Sequence, residues 1–240
     1  MATLVLLHPI GLDSNCWEGL RLPAAVTPEL PGHGGCRMDA SAASLAEVAD
    51  AIAEAVPGML DVGGVSLGGV VAQHLALRHP DRVRSLLLAC CSAASSPEAM
   101  LARAAEVEAA GMPGVVEATL ARWFTPAALA TVHHPGVAHA RRRLEADDPA
   151  VFAAFWRALA GHDTRRRLGE ITVPVTVLGG WEDLATPVDR LLDLARRLPN
   201  NRTELLHGPH MLQLERPEEF AAAVDRHLAW AEAQAGGSST

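Results

Sequence analysis

The segment Leu60-Asp61-Val62-Gly63-Gly64-Val65-Ser66-Leu67-Gly68-Gly69 sets Gly-x-Ser-x-Gly between an apolar run and a helix-like run. In that setting the motif makes a sharp strand-to-helix turn, with glycines where side chains would crowd the bend and a serine held in a strained conformation. Ser66 is therefore the candidate nucleophile; the competing structural reading is a Gly-rich turn whose serine caps the next helix. A serine hydroxyl attacks poorly near neutral pH unless a base takes its proton and an acid orients that base. Of the eleven histidines, His210 is the candidate base, because His207-Gly208-Pro209-His210 follows the last predicted strand and falls on a loop at the sheet edge where the serine turn also lies. His207 is the alternative. For the acid, the loop Gly179-Gly180-Trp181-Glu182-Asp183 follows an apolar strand, and Asp183 is favoured over Glu182. The loop after the strand that ends near Cys90 holds no carboxylate, which strengthens Asp183.

Acyl chemistry also needs two hydrogen-bond donors where charge develops on the carbonyl oxygen. The backbone N–H of Leu67, next after the nucleophile, is one. The other is expected from the loop His8-Pro9-Ile10-Gly11 after the first strand. Proline has no N–H, so Ile10 is the candidate, ahead of Gly11. His8 is expected to brace this loop. His133, His134 and His139 fit no metal spacing, and neither a metal nor a cofactor is expected.

These positions need a scaffold, and short branched apolar runs alternate with helix-like segments as in β-α units around a mostly parallel sheet. Strands are predicted at Leu4 to His8, Ala24 to Thr27, Leu60 to Val65, Val83 to Cys90, Val175 to Leu178 and Thr203 to Leu206. Helices are predicted near Ser44 to Val56, Leu67 to Arg78, Val188 to Leu198 and Pro217 to Ala233. Between residues 95 and 167 the strand signal vanishes and four helices are expected: Met100 to Ala110, Val115 to Phe124, Gly136 to Ala146 and Val151 to Ala160. The predicted organisation is a core of residues 1–94 and 168–235, a helical insertion at 95–167, and a flexible tail at 236–240. The insertion holds nine arginines against eight acids, in a chain of net charge -8. Its Arg141-Arg142-Arg143 and Arg165-Arg166-Arg167 runs read first as solvated helix faces.

Composition removes other chemistries. All 20 basic residues are arginine, so mechanisms that need a lysine, such as Schiff bases or P-loop phosphate binding, are excluded. The negative charge opposes nucleic-acid binding, and no uninterrupted apolar stretch marks a membrane span. The N-terminus reads as a buried strand rather than a signal peptide, and the cytoplasm is the expected location. Four cysteines lack zinc spacing or disulfide density and read as reduced packing residues.

Ser66, Asp183 and His210, in that chain order, resemble the α/β-hydrolase superfamily over nearly the whole length. His8-Pro9-Ile10-Gly11 resembles the family's oxyanion loop, and Leu30-Pro31-Gly32-His33-Gly34 its turn after the next strand. Leu214-Glu215-Arg216-Pro217-Glu218-Glu219-Phe220 resembles the start of its final helix. The family's chain order excludes every histidine before Ser66 as the base. Within the insertion, Glu108-Ala109-Ala110-Gly111-Met112 and Ala121-Arg122-Trp123-Phe124-Thr125-Pro126 are most similar to bacterial 3-oxoadipate enol-lactonases. The resemblance implies an α/β-hydrolase fold with a shortened sheet of about six strands and a helical cap. It further implies a serine hydrolase that opens a carboxylate-bearing lactone or ester, Arg122 as carboxylate ligand and Trp123 as pocket wall. Ordinary packing is the alternative for those two residues. Departures exist: Pro9 stands where Gly or Ser is usual, Glu29 where Asp is common, and the Gly-Tyr of the enol-lactonase cap is missing around Pro149 to Phe155. Two other functions stay open. One is a carbon-carbon hydrolase or a lyase similar to that of the menaquinone pathway, expected to have a basic pocket; the other is a non-catalytic ligand-binding protein on the same scaffold.

Overall fold

The computed structural model describes residues 2–36 and 44–237. Six strands form one sheet: β1 (Thr3–Leu7), β2 (Ala25–Val26), β3 (Leu60–Val65), β4 (Val83–Ala89), β5 (Val175–Gly180) and β6 (Asn201–Leu206). Their order is β2-β1-β3-β4-β5-β6, and every pairing is parallel. A parallel sheet covered on both faces favours largely apolar strands; every residue of β3 and β5 is buried, Asp61 and Thr176 included, whereas the edge strand β6 is only partly buried. The order reverses at β1, the first strand in the chain, so the loops after β1 and β3 open side by side at the C-terminal edge, where ligands bind in such sheets.

Helices α1 (Leu45–Ala55), α2 (Leu67–Arg78), α7 (Val188–Arg196), α8 (Leu212–Glu215) and α9 (Pro217–Gly237) join or follow the strands. The Ser44 hydroxyl caps α1 by accepting from the Glu47 N–H. Between β4 and β5 lie α3 (Pro97–Trp123), α4 (Pro126–Ala130), α5 (Pro135–Ala146) and α6 (Pro149–Ala160), and no strand among the described residues interrupts them. The ends of this segment meet at an isolated antiparallel bridge between Ala94 and Asp163. Gly111, at φ 66 and ψ 179, breaks α3 into the two helices read from the sequence, and Pro113 follows the break.

The structure corrects some boundaries. Strand β2 has two residues, because beyond Val26 the chain leaves the ladder; β6 starts two residues before the predicted Thr203. Helix α9 runs through Gly236 and Gly237, inside the predicted tail, since each residue added to an existing helix gains a hydrogen bond at little further ordering cost. Residues 238–240 lie outside the described part. No described helix is long and apolar enough to cross a membrane.

Candidate active site

Ser66 sits between β3 and α2 at φ 55 and ψ -115, a left-handed conformation costly for a residue with a Cβ. It is held there by its own N–H, which donates to Ala89 O at 2.9 Å, and by Val70 N–H donating to its carbonyl at 3.0 Å. The flanking glycines are needed for space: a Cβ at Gly64 would strike the backbone of Gly68 and meet Gly69 N at 2.6 Å, while one at Gly68 would strike the Leu7 carbonyl. The turn thus brings α2 directly onto the end of β1, and any larger residue would push the two apart.

His210 follows β6 and Asp183 follows β5, both buried. The Ser66 hydroxyl lies 2.9 Å from His210 Nε2, and His210 Nδ1 lies 2.8 Å from Asp183 Oδ2. The other carboxylate oxygen, Oδ1, accepts the N–H groups of Ala185 at 2.8 Å and Thr186 at 2.7 Å. Asp183 is therefore fixed as an acceptor toward the ring. Its partner Nδ1 then carries the proton and Nε2 is left free to accept from Ser66, the tautomer a general base needs. The three residues picked from the sequence converge. His207 and Glu182, the alternatives, are exposed and take no part in this chain of hydrogen bonds.

The loop after β1 is braced as expected. Burial holds the His8 ring at a pKa of about 4, so at neutral pH its Nδ1–H donates to Pro9 O at 2.8 Å while Nε2 accepts from Leu30 N at 3.0 Å. Its 3.6 Å approach to Glu29 is accordingly not an ion pair near pH 7. Among the described residues, neither Ile10 N–H nor Leu67 N–H donates to a protein acceptor.

A cavity of about 230 Å³ opens beside Ser66 and His210. Trp123, Trp156, Leu159 and Met100 supply apolar wall, and Arg103, Arg122 and Arg190 supply charge; among the described residues no Asp or Glu lines it. Arg122 and Trp123, singled out in the sequence, both reach this wall. The Arg122 guanidinium donates to Thr119 Oγ1 at 3.0 Å, and Arg103 lies over the Trp156 ring, 4.8 Å from its centroid. Burial lowers the pKa of each, and the positive charge of Arg122 lowers that of Arg103 further. Among the described residues neither pairs with a carboxylate, unlike Arg78, Arg84, Arg157 and Arg226 elsewhere on the molecule.

Sequence reasoning missed Arg103, Arg190 and Trp156. Arg103 and Arg122 lie on opposite sides of the Gly111 break, so no helical spacing relates them. It also missed Cys90, a buried non-glycine residue at φ 49 whose sulfur lies within 4.8 Å of ligand-type atoms of Asp183 and His210. That trio is the one group of three potential metal ligands among the described residues. Burial and the adjacent Asp183 charge push the Cys90 thiol well above its usual pKa. A neutral thiol is a poor metal ligand, and two members of the trio are already hydrogen-bonded to each other. Cys16 and Cys91 are buried as expected, whereas Cys36 is exposed.

A strained serine at the turn after β3, an acid after β5 and a base after β6, and a sheet order that opens at β1 define an α/β hydrolase. Residues 4–223 match the model of the alpha/beta hydrolase family, and the chain belongs to it; it is a hydrolytic enzyme of the esterase type. A pimeloyl-[acyl-carrier protein] methyl ester esterase from Aromatoleum aromaticum is 33% identical over 245 residues, covering 92% of this chain and 96% of that protein. The 3-oxoadipate enol-lactonase 2 of Acinetobacter baylyi is 30% identical over 164 residues, covering 68% of this chain and 61% of its own length. Among solved structures, the enol-lactonase from Burkholderia xenovorans LB400 superposes with a TM-score of 0.87 at 25% identity, covering 95% of this chain and 92% of that one. The likeness to enol-lactonases read in the insertion is thus shared with methyl ester esterases, which match over more of the sequence.

Proposed function

We propose that this protein is a serine hydrolase that cleaves a small carboxylic ester or lactone through an acyl-enzyme, with an anionic group on the substrate. The observation that carries the reading is the unbroken Ser66–His210–Asp183 hydrogen-bond chain opening onto a cavity. Ser66 Oγ attacks the carbonyl carbon as its proton passes to His210 Nε2, and Asp183 stabilises the imidazolium. The backbone N–H groups of Leu67 and Ile10 hold the oxyanion. His210 then protonates the leaving oxygen, which in a lactone stays tethered to the acyl chain. The same ring next deprotonates water, and hydrolysis frees the acid and restores Ser66. No cofactor enters these steps.

Helices of residues 95–167 act as a cap over a core of 1–94 and 168–235, with Trp123 as wall. Arg122 holds the substrate's anionic group: a half-buried guanidinium without a carboxylate partner bears a desolvation cost that a bound anion offsets. The cytoplasm is its compartment, in keeping with four free thiols.

The test is turnover of the monomethyl ester of a dicarboxylic acid beside its dimethyl ester, with wild type, Ser66→Ala and Arg122→Met. Ser66→Ala should lower kcat about a millionfold. Arg122→Met should erase the preference for the monoester while sparing the dimethyl ester. A Ser66→Ala enzyme as fast as wild type refutes the mechanism; an unchanged monoester preference in Arg122→Met refutes the anion assignment. The basic lining also suits a carbon-carbon hydrolase or lyase acting on an anionic substrate, and a vinylogous diketone assayed beside the esters distinguishes the two chemistries.

A further inference from the structure

The structure assigns Arg143, on α5, as a positioning residue that ties the loop of Ile10 and Gly11 to the helices above it, an inference resting on the oxyanion role proposed for that loop. Asp13 lies three residues beyond Ile10 and is almost fully buried. It caps the short turn that follows, accepting from Asn15 N–H at 3.2 Å through Oδ1. Two groups from α5 converge on the same carboxylate: Arg143 Nε stands 2.9 Å from Oδ2 and His139 Nε2 3.3 Å from Oδ1. Neither nitrogen has a hydrogen-bond partner; the Arg143 guanidinium attracts Asp13 by charge, while burial lowers the His139 pKa, so that its ring adds charge only when protonated. The far side of the guanidinium donates to Asp147 Oδ1 at 2.9 Å, at the C-terminal end of α5.

Arg143 therefore bridges two carboxylates, Asp13 just beyond the β1 loop and Asp147 at the C-terminal end of α5. Apolar packing continues this contact: Leu144, the next residue of α5, lies against Gly11 together with Phe152 of α6 and Trp123 of α3. A guanidinium presents donors on two sides and so spans both acids, which a point charge such as lysine does not. The sequence shows Arg141-Arg142-Arg143 as one basic run, but its members differ. Arg142 is exposed, Arg141 pairs with the exposed Glu117, and Arg143 faces inward onto the loop. For Arg143 this corrects the reading of the run as a solvated face.

Arg143→Met, Arg143→Lys and Asp13→Asn, made in the full chain, test the assignment. The readouts are kcat and KM for p-nitrophenyl acetate, Tm, and Ki for a trifluoromethyl ketone, whose adduct with Ser66 places an oxyanion where the carbonyl oxygen reacts. A displaced donor costs part of what a lost one does, so Arg143→Met should lower kcat between about 10- and 100-fold. It should weaken the ketone by a similar factor, with KM within about threefold of wild type. Arg143→Lys should recover part of both. Should Arg143→Met not fold, the Lys and Asp13→Asn variants carry the same comparison. A fall in Tm with kcat and ketone affinity intact, or a loss confined to KM, overturns the assignment. An inactive Ser66→Ala beside indifferent Arg143 variants overturns this inference alone. A fully active Ser66→Ala overturns the catalytic reading and this inference with it.

Discussion

Replacing Gly11 by alanine separates backbone strain from the packing of the upper helices on the β1 loop. Gly11 has φ +69, and a Cβ there would stand 2.7 Å from Leu144 Cδ2 and 2.8 Å from Phe152 Cε2, where ordinary contact begins at 3.4 Å. The shortfalls are 0.7 and 0.6 Å, against side chains pinned in a dense core. The left-handed conformation costs alanine about 1–2 kcal/mol, and overpacking adds about 1–3 kcal/mol. The sum, about 2–5 kcal/mol, lowers Tm by roughly 4–20 °C in a chain of this size. A misplacement of about 1 Å can cost a hundredfold in rate, so a shift of this size beside Ile10 should cost roughly ten- to a hundredfold in kcat. Two controls divide the effect. Gly58 has φ +86 with nothing within 4 Å, so Gly58→Ala carries the strain alone. Gly169 has neither strain nor a neighbour within 4 Å, so Gly169→Ala should leave Tm within about 1 °C of wild type. The assays are thermal denaturation and turnover of p-nitrophenyl acetate. If Gly11→Ala destabilised no more than Gly58→Ala and kept full activity, the reasoning that α3, α5 and α6 press on the loop after β1 would be refuted.

Asp183→Asn should fold normally and lose about 10⁴-fold in kcat. The Ala185 and Thr186 N–H groups require an oxygen at the Oδ1 position, so the asparagine would turn its NH₂ toward His210 Nδ1. The imidazole proton would then sit on Nε2, which could no longer accept from Ser66; a loss under tenfold would contradict this account. A second expectation concerns acid stability. Burial lowers the pKa of His8 to about 4, His33 to about 3 and His227 to about 4, so each contributes stability that is complete above the unfolded value of 6.5 and is lost as pH falls toward 4. Asp147 works the other way: burial raises it to about 7, so its cost to the folded state grows as pH rises from about 4 to 7. From pH 7 to 5 these three histidines outweigh Asp147 by about 3 kcal/mol, a Tm lower by roughly 6–12 °C, and His74, lowered to about 4 by burial, adds to the same fall. Asp147→Asn should deepen that fall, and a Tm that is flat or rises on acidification would show that these histidines are not held neutral.

The six strands and the residues 66, 183 and 210 were legible in the sequence because each depends on local rules. A parallel strand covered on both faces is largely apolar, a nucleophile turn needs glycine on both sides, and the loops at the strands' C-terminal ends are where polar side chains can meet. Ile10, the proposed second oxyanion donor, followed by elimination, since Pro9 has no N–H to offer. Tertiary structure decided what depends on distance across the fold. Gly111 folds α3 back so that Arg103 and Arg122, nineteen positions apart in the chain, line one cavity. Within a run of three arginines, only the packing of α5 on the β1 loop turned Arg143 inward to Asp13. Hydrophobic periodicity records which face of an element is buried; it carries no information about which distant charge that face meets, and at this site the meeting of distant charges sets the electrostatics of the pocket.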